Sequence, residues 1–154
     1  ARPPEFLVKL FVENPHQPFG VAFTDAVLDT GSPSSYLDEN FADQELLLEP
    51  IREIQTTIEQ PGSSGIIETK VSLKVVSVRF VILDARFTEI RRDSFEVCLL
   101  KAIDTRPNIK MIFGMDFLNY LDIAYFVRSS RNTLILSDDH PIADDVIRAA
   151  LRRS

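Results

Sequence analysis

The sequence predicts a mainly-β chain folded as one barrel-like lobe. Three observations carry that expectation. Apolar runs rich in Val, Ile, Leu and Phe recur along most of the chain, several alternating with charged residues at period two. Clusters of Pro, Gly, Asn and Ser separate the runs as turns would. Helices are expected only as a short turn after residue 35 and a stretch near the C terminus. Many short strands with few helices is the pattern of a barrel or sandwich. The 154 residues suffice for one domain with a sizeable core, so residues 1–154 are read as a single domain with its core over about 5–137.

The elements follow in order. Over 5–13, Phe6, Val8, Leu10 and Val12 share one face and Lys9 and Glu13 the other, which is a strand. Residues 14–18 form a Pro-rich turn, and 19–28 a second strand. After Pro33, a helical turn over 36–43 takes Ser34 or Ser35 as its N-cap. The spacing over 46–60 is open to a helix, but Pro50 and the β-branched run from Ile54 to Ile58 favour a strand over 53–59. Gln60-Pro61-Gly62-Ser63-Ser64-Gly65 is a hairpin tip, since Val71, Leu73 and Val75 alternate with Lys70, Ser72 and Lys74 in the next strand over 66–76. The tip reads either as a plain surface turn or as a lid over a cleft.

Further strands are expected over 78–87 and 94–102, with a charged turn over 88–93 between them and a loop over 104–108. An apolar strand then ends at Gly114, and Met115 to Leu118 form a short amphipathic piece. Two closing strands, 120–127 and 133–136, flank a turn at 129–132. A C-terminal helix over about 141–152 has Ser137 or Asp138 as cap, Pro141 in its first turn and Asp144 and Asp145 near its positive end. Its apolar face is Ile142, Val146, Ala149 and Ala150, free to pack on the barrel or on a partner.

Composition excludes several function classes. The net charge of −6, with dispersed basic residues, argues against a nucleic-acid binder working by phosphate neutralisation. One cysteine, Cys98, excludes an internal disulfide framework and reads as a buried core thiol. With only His16 and His140 beside it in composition, no structural metal site and no cofactor is expected. No apolar run is long enough for a transmembrane helix and no signal peptide is visible, so the expected compartment is cytoplasmic rather than secreted. The start at Ala1 without Met is compatible with release from a longer precursor.

The chain is organised around Ala26-Val27-Leu28-Asp29-Thr30-Gly31-Ser32. An apolar strand runs straight into a carboxylate, a hydroxyl residue and a glycine. Glycine lets the chain fold back where a Cβ would clash, which can hold the Asp29 carboxylate at the floor of a cleft. Taken alone, Asp29 also reads as an ordinary turn acid. The ordered set is more specific than the tripeptide. The Gly62–Gly65 hairpin follows, and then Ile112-Phe113-Gly114-Met115-Asp116-Phe117-Leu118.

That set, over roughly 5–137, resembles the retropepsin-like aspartic proteases, the single-lobe retroviral type. The resemblance implies a closed β-barrel lobe with a strand crossing beneath the catalytic loop, Gly114 allowing the two backbones to approach. It implies Asp29, Thr30 and Gly31 as catalytic residues and Ser32, Gly62, Ser63, Ser64 and Gly65 as substrate-binding residues, the last four as a flap. It implies that Ser32 hydrogen-bonds the catalytic carboxylate, biasing the pair toward acidic operation. Asp116 is expected to be structural, and Asp122, Asp138 and Asp139 solvated or capping acids.

The chemistry of this family requires two carboxylates, and Asp-Thr-Gly occurs once. The resemblance therefore implies a homodimer with one Asp29 from each subunit at a two-fold axis, Thr30 bonding across it. Peptide or protein substrates are expected, bound extended, with apolar residues flanking the cut. Two other readings stand beside it: a non-catalytic dimerisation or peptide-binding module of the same fold, and one lobe of a two-lobe enzyme.

Overall fold

A computed structural model describes residues 6–120, 124–128 and 133–137. Strands β1 (Phe6–Glu13) and β2 (Val21–Leu28) form an antiparallel pair in full register from Phe6 opposite Leu28 to Glu13 opposite Val21. Then come β3 (Tyr36–Asp38), α1 (Glu39–Gln44), β4 (Arg52–Gly62), β5 (Gly65–Leu83), β6 (Glu89–Leu100), β7 (Ile109–Phe113) and α2 (Met115–Tyr120). Strands β8 (Ala124–Arg128) and β9 (Thr133–Ser137) pair with each other antiparallel.

The main sheet has the order β1-β2-β7-β3-β6-β5-β4 and closes on itself because β1 also pairs with β5. Six strands therefore make a closed barrel, and β4 hangs from β5 outside it. Closure leaves no free edge within the barrel. The long strand β5 serves both parts. Its first half pairs with β4, and its second half lies between β6 and β1.

The alternation in the sequence explains the core. Val8, Leu10 and Val12 of β1 point inward, as do Val76, Val78, Phe80 and Ile82 of β5 and Phe95, Val97 and Leu99 of β6. Met111 and Phe113 of β7 and Phe117 of α2 close the lower end, with the Phe113 and Phe117 rings stacked at 3.6 Å. Each such fully buried side chain contributes about 2 kcal/mol of apolar transfer. This packing is what gives β7 and α2 a fixed place under the β2–β3 loop.

Several local expectations change. The residues after Ser35 form β3 before any helix, and the cap of α1 is Asp38, whose carboxylate accepts from the Phe41 amide at 3.0 Å. Neither Ser34 nor Ser35 caps it. The strands expected at 66–76 and 78–87 are one continuous strand. The turn lies at 84–88 rather than 88–93, built by Asp84 Oδ1 accepting from the Arg86 and Thr88 amides. Residues Glu89 to Asp93 are strand, their charges paired as Arg92–Glu89, Arg92–Glu13 and Arg91–Asp93. Tyr120 ends α2 instead of opening a strand. Cys98 is half-buried rather than fully enclosed. The turn at 129–132 and the helix at 141–152 lie outside the described residues, as do Asp122, Asp138 and Asp139. Among the described residues no helix is long and apolar enough to cross a membrane.

Candidate active site

Strand β7 creates the site. It runs parallel to β2, with Val27 opposite Ile112 and Leu28 opposite Phe113, and antiparallel to β3, with Tyr36 opposite Ile112. It thus separates the two strands that flank residues 29–35, and the loop between them has to cross the end of β7. The crossing is tight. A Cβ on Gly114 would lie 2.4 Å from the Ser34 carbonyl oxygen and 2.6 Å from that of Ser32. Only glycine fits there, as the sequence led one to expect.

The loop is bonded to β7 and α2 at its two ends, through Asp29 on one side and Ser32, Pro33 and Ser35 on the other. The Asp29 amide donates to Phe113 O at 2.8 Å, Met115 N to Ser32 O at 2.8 Å and Asp116 N to Pro33 O at 3.1 Å. Ser35, 1% exposed, is the central pin. Its hydroxyl donates to Asp116 Oδ1 at 2.6 Å and accepts from the Gly114 amide at 2.8 Å, while its own amide donates to Asp116 Oδ2 at 3.1 Å. Asp116 also accepts from Phe117 N at 2.7 Å. The Asp116 carboxylate is therefore occupied by backbone and Ser35 donors, the structural role expected of it.

On this mount Asp29, Thr30 and Gly31 are exposed. Asp29 Oδ1 accepts from the Gly31 amide at 3.0 Å, and the Ser32 amide closes a turn onto Asp29 O at 3.1 Å. The Thr30 hydroxyl has no hydrogen-bond partner among the described residues. Ser32 departs from expectation: its hydroxyl donates to Ser34 O at 2.7 Å, within the loop, and not to the Asp29 carboxylate. The loop's own curl brings that carbonyl closer than the acid.

The β4–β5 hairpin turns at Ser63-Ser64, with Gly62 opposite Gly65. Gly65 has φ +125°, a region that residues with a Cβ rarely enter. The stem and the 29–35 loop border a cavity of about 610 Å³, lined by Pro33 and Tyr36 on one side and Thr57, Ile58 and Glu59 of β4 on the other. Asp29, Thr30, Gly31 and Ser32 thus lie together in one loop, of which only Pro33 reaches the lining of that cavity. Gly62, Ser63, Ser64 and Gly65 stand at the hairpin's end, outside the lining of that cavity.

Ser35, Tyr36, Ile58 and Leu100 were not visible as site residues in the sequence. Their spacing along the chain carries no motif. Burial pushes the Tyr36 phenol up, so it stays neutral, and burial with the nearby Asp116 carboxylate does the same to the Cys98 thiol. Among the described residues no three His, Cys, Asp or Glu side chains converge as metal ligands. No family model matches the chain, and no curated protein matches it.

Proposed function

We propose that the chain is one subunit of a retropepsin-like aspartic endopeptidase, active as a homodimer with one Asp29 from each copy. The observation that carries this reading is the contrast within the 29–35 loop. Its backbone is tied to β7 and α2 at Asp29, Ser32 and Pro33, yet the Asp29 carboxylate is exposed and holds one internal hydrogen bond. A structural acid is normally satisfied by its own chain, as Asp116 is. A rigid mount with a free carboxylate suits a group that works on something outside the chain.

One carboxylate cannot both deprotonate water and protonate a carbonyl. Two held close together cannot both be ionised at low cost, so they share one proton. The ionised member takes a proton from water, which attacks the scissile carbonyl. The protonated member donates to the carbonyl oxygen and then assists departure of the amine. The pair titrates as a unit. A two-fold axis through the Asp29 loops supplies the second acid and gives the Thr30 hydroxyl a partner across the axis. The β4–β5 hairpin then acts as a flap, with extended peptide held between it and the loop.

The test is cleavage of a peptide library between about pH 3 and 7 by wild type and Asp29→Asn, with mass measured on the same samples. Cleavage by a wild-type dimer, lost in a variant that remains dimeric, is the expected result. A dimer that binds peptides without cleaving them at any pH would make the chain a peptide-binding module instead.

A further inference from the structure

The cavity beside the Asp29 loop has a chemical character of its own. Its walls are mainly apolar, from Pro33 of the loop, the Tyr36 ring, Ile58 of β4 and Leu100 at the end of β6, with Thr57 as a polar member. Two charged side chains, Glu59 and Lys101, border it where it opens to solvent. Neither makes an ion pair or a side-chain hydrogen bond among the described residues. At about 610 Å³ the space exceeds what one aliphatic side chain fills. Its position ties it to the site, since Pro33 follows Asp29 in the same loop and Ile58 belongs to the hairpin stem.

Resting on the peptide-hydrolysis reading above, we infer that this cavity sets substrate choice, taking a side chain with a broad apolar body and an uncharged hydrogen-bonding tip, tyrosine before phenylalanine and before any charged residue. The walls supply the first half of that preference, because an aromatic ring buries more apolar surface than other side chains. The rim supplies the second. A cationic tip meets Lys101 as well as Glu59, and an anionic tip meets Glu59 as well as Lys101, so neither sign gains. A phenol hydroxyl can donate to a carboxylate or accept from an ammonium, so either rim group serves it. Both rim charges are solvated, which keeps the discrimination modest: about three- to tenfold in kcat/KM for tyrosine over phenylalanine.

The experiment uses a positional-scanning library of extended peptides. Cleavage is followed for wild type and for the Glu59→Ala/Lys101→Ala double variant, and binding of the same peptides is measured by fluorescence anisotropy on Asp29→Asn. The expected result is a tyrosine preference at one peptide position that falls to parity with phenylalanine in the double variant. Cleavage with equal use of tyrosine and phenylalanine, or a preference unchanged in the double variant, overturns the inference and leaves the proposed chemistry standing. Tyrosine-selective binding without wild-type cleavage overturns the chemistry and supports the pocket. Neither binding nor cleavage of any peptide overturns both.

Discussion

Gly114→Ala tests how the site is mounted. The new methyl would sit 2.4 Å from Ser34 O and 2.6 Å from Ser32 O, both main-chain atoms that no rotamer change can move. An ordinary carbon–oxygen contact is about 3.3 Å, so β7 and the loop must separate by about 1 Å. Three hydrogen bonds cross that gap: Met115 N to Ser32 O and Gly114 N to Ser35 Oγ, each at 2.8 Å, and Asp116 N to Pro33 O at 3.1 Å. Lengthened by that amount they cease to be hydrogen bonds. Each contributes about 1 kcal/mol net, and residual overpacking adds about 1 kcal/mol. The expected loss is about 4 kcal/mol, a large share of a typical stability of about 5–15 kcal/mol.

Urea titration followed by circular dichroism measures that loss directly. A thermal scan should show a fall of about 8–16 °C for a chain of this size. Gly31→Ala is the matched control. Its methyl would meet only Asp29 Oδ1, at 3.3 Å, on an exposed turn, and should cost under about 1 kcal/mol. If Gly114→Ala proves no more costly than Gly31→Ala, the loop is not seated on β7 as described, and the account of the site fails with it.

Other outcomes are equally specific. Asp29→Asn should leave the melting temperature within a few degrees, because the exposed carboxylate holds one hydrogen bond, while the proposed peptide hydrolysis should fall at least about a thousandfold. Asp116→Ala strands the Ser35 hydroxyl and two amides, so it should destabilise by about 2–4 kcal/mol in urea. If the chain hydrolyses peptides as proposed, Ser32→Ala should leave the pH–rate profile in place, since its hydroxyl serves Ser34 O; a displaced acid limb would mean that it reaches the Asp29 carboxylate instead. Burial raises the Cys98 thiol, so at a given mildly alkaline pH less of it is thiolate. Alkylation in the native state should be about tenfold or more slower than in urea.

The barrel was legible wherever a strand buries one face. Strand β1 and the β4–β5 hairpin show their alternation plainly. Strand β5 was harder to read because its surroundings change midway. Beside β4 its faces alternate, and Ser77 and Arg79 carry the alternation on, but from Phe80 to Leu83 every residue is apolar and buried, and such a run hides its own register. Charge misled the reading of 88–93, where the charged side chains are ion-paired on a strand rather than solvated in a turn. At the site, Gly114 could be picked out because the close approach of two backbones admits no Cβ, and Asp29 because it stands in a recognisable local motif. The Ser35–Asp116 pin spans 81 positions and has no local signature. The Ser32 hydroxyl follows the fold of its own loop, which a motif does not specify.

The seat of the Asp29 loop is assembled from opposite ends of the described chain. Asp29 leaves β2 early, but its backbone partners are Phe113 to Asp116. During synthesis the loop can therefore take no lasting shape until β7 and α2 have left the ribosome and slotted between β2 and β3. Such late, long-range closure is slow compared with hairpin formation. The β1–β2 and β4–β5 hairpins can form locally well before it. A nascent chain ending before residue 109 should hold those hairpins and no seated loop, so the site comes into being in a single late step.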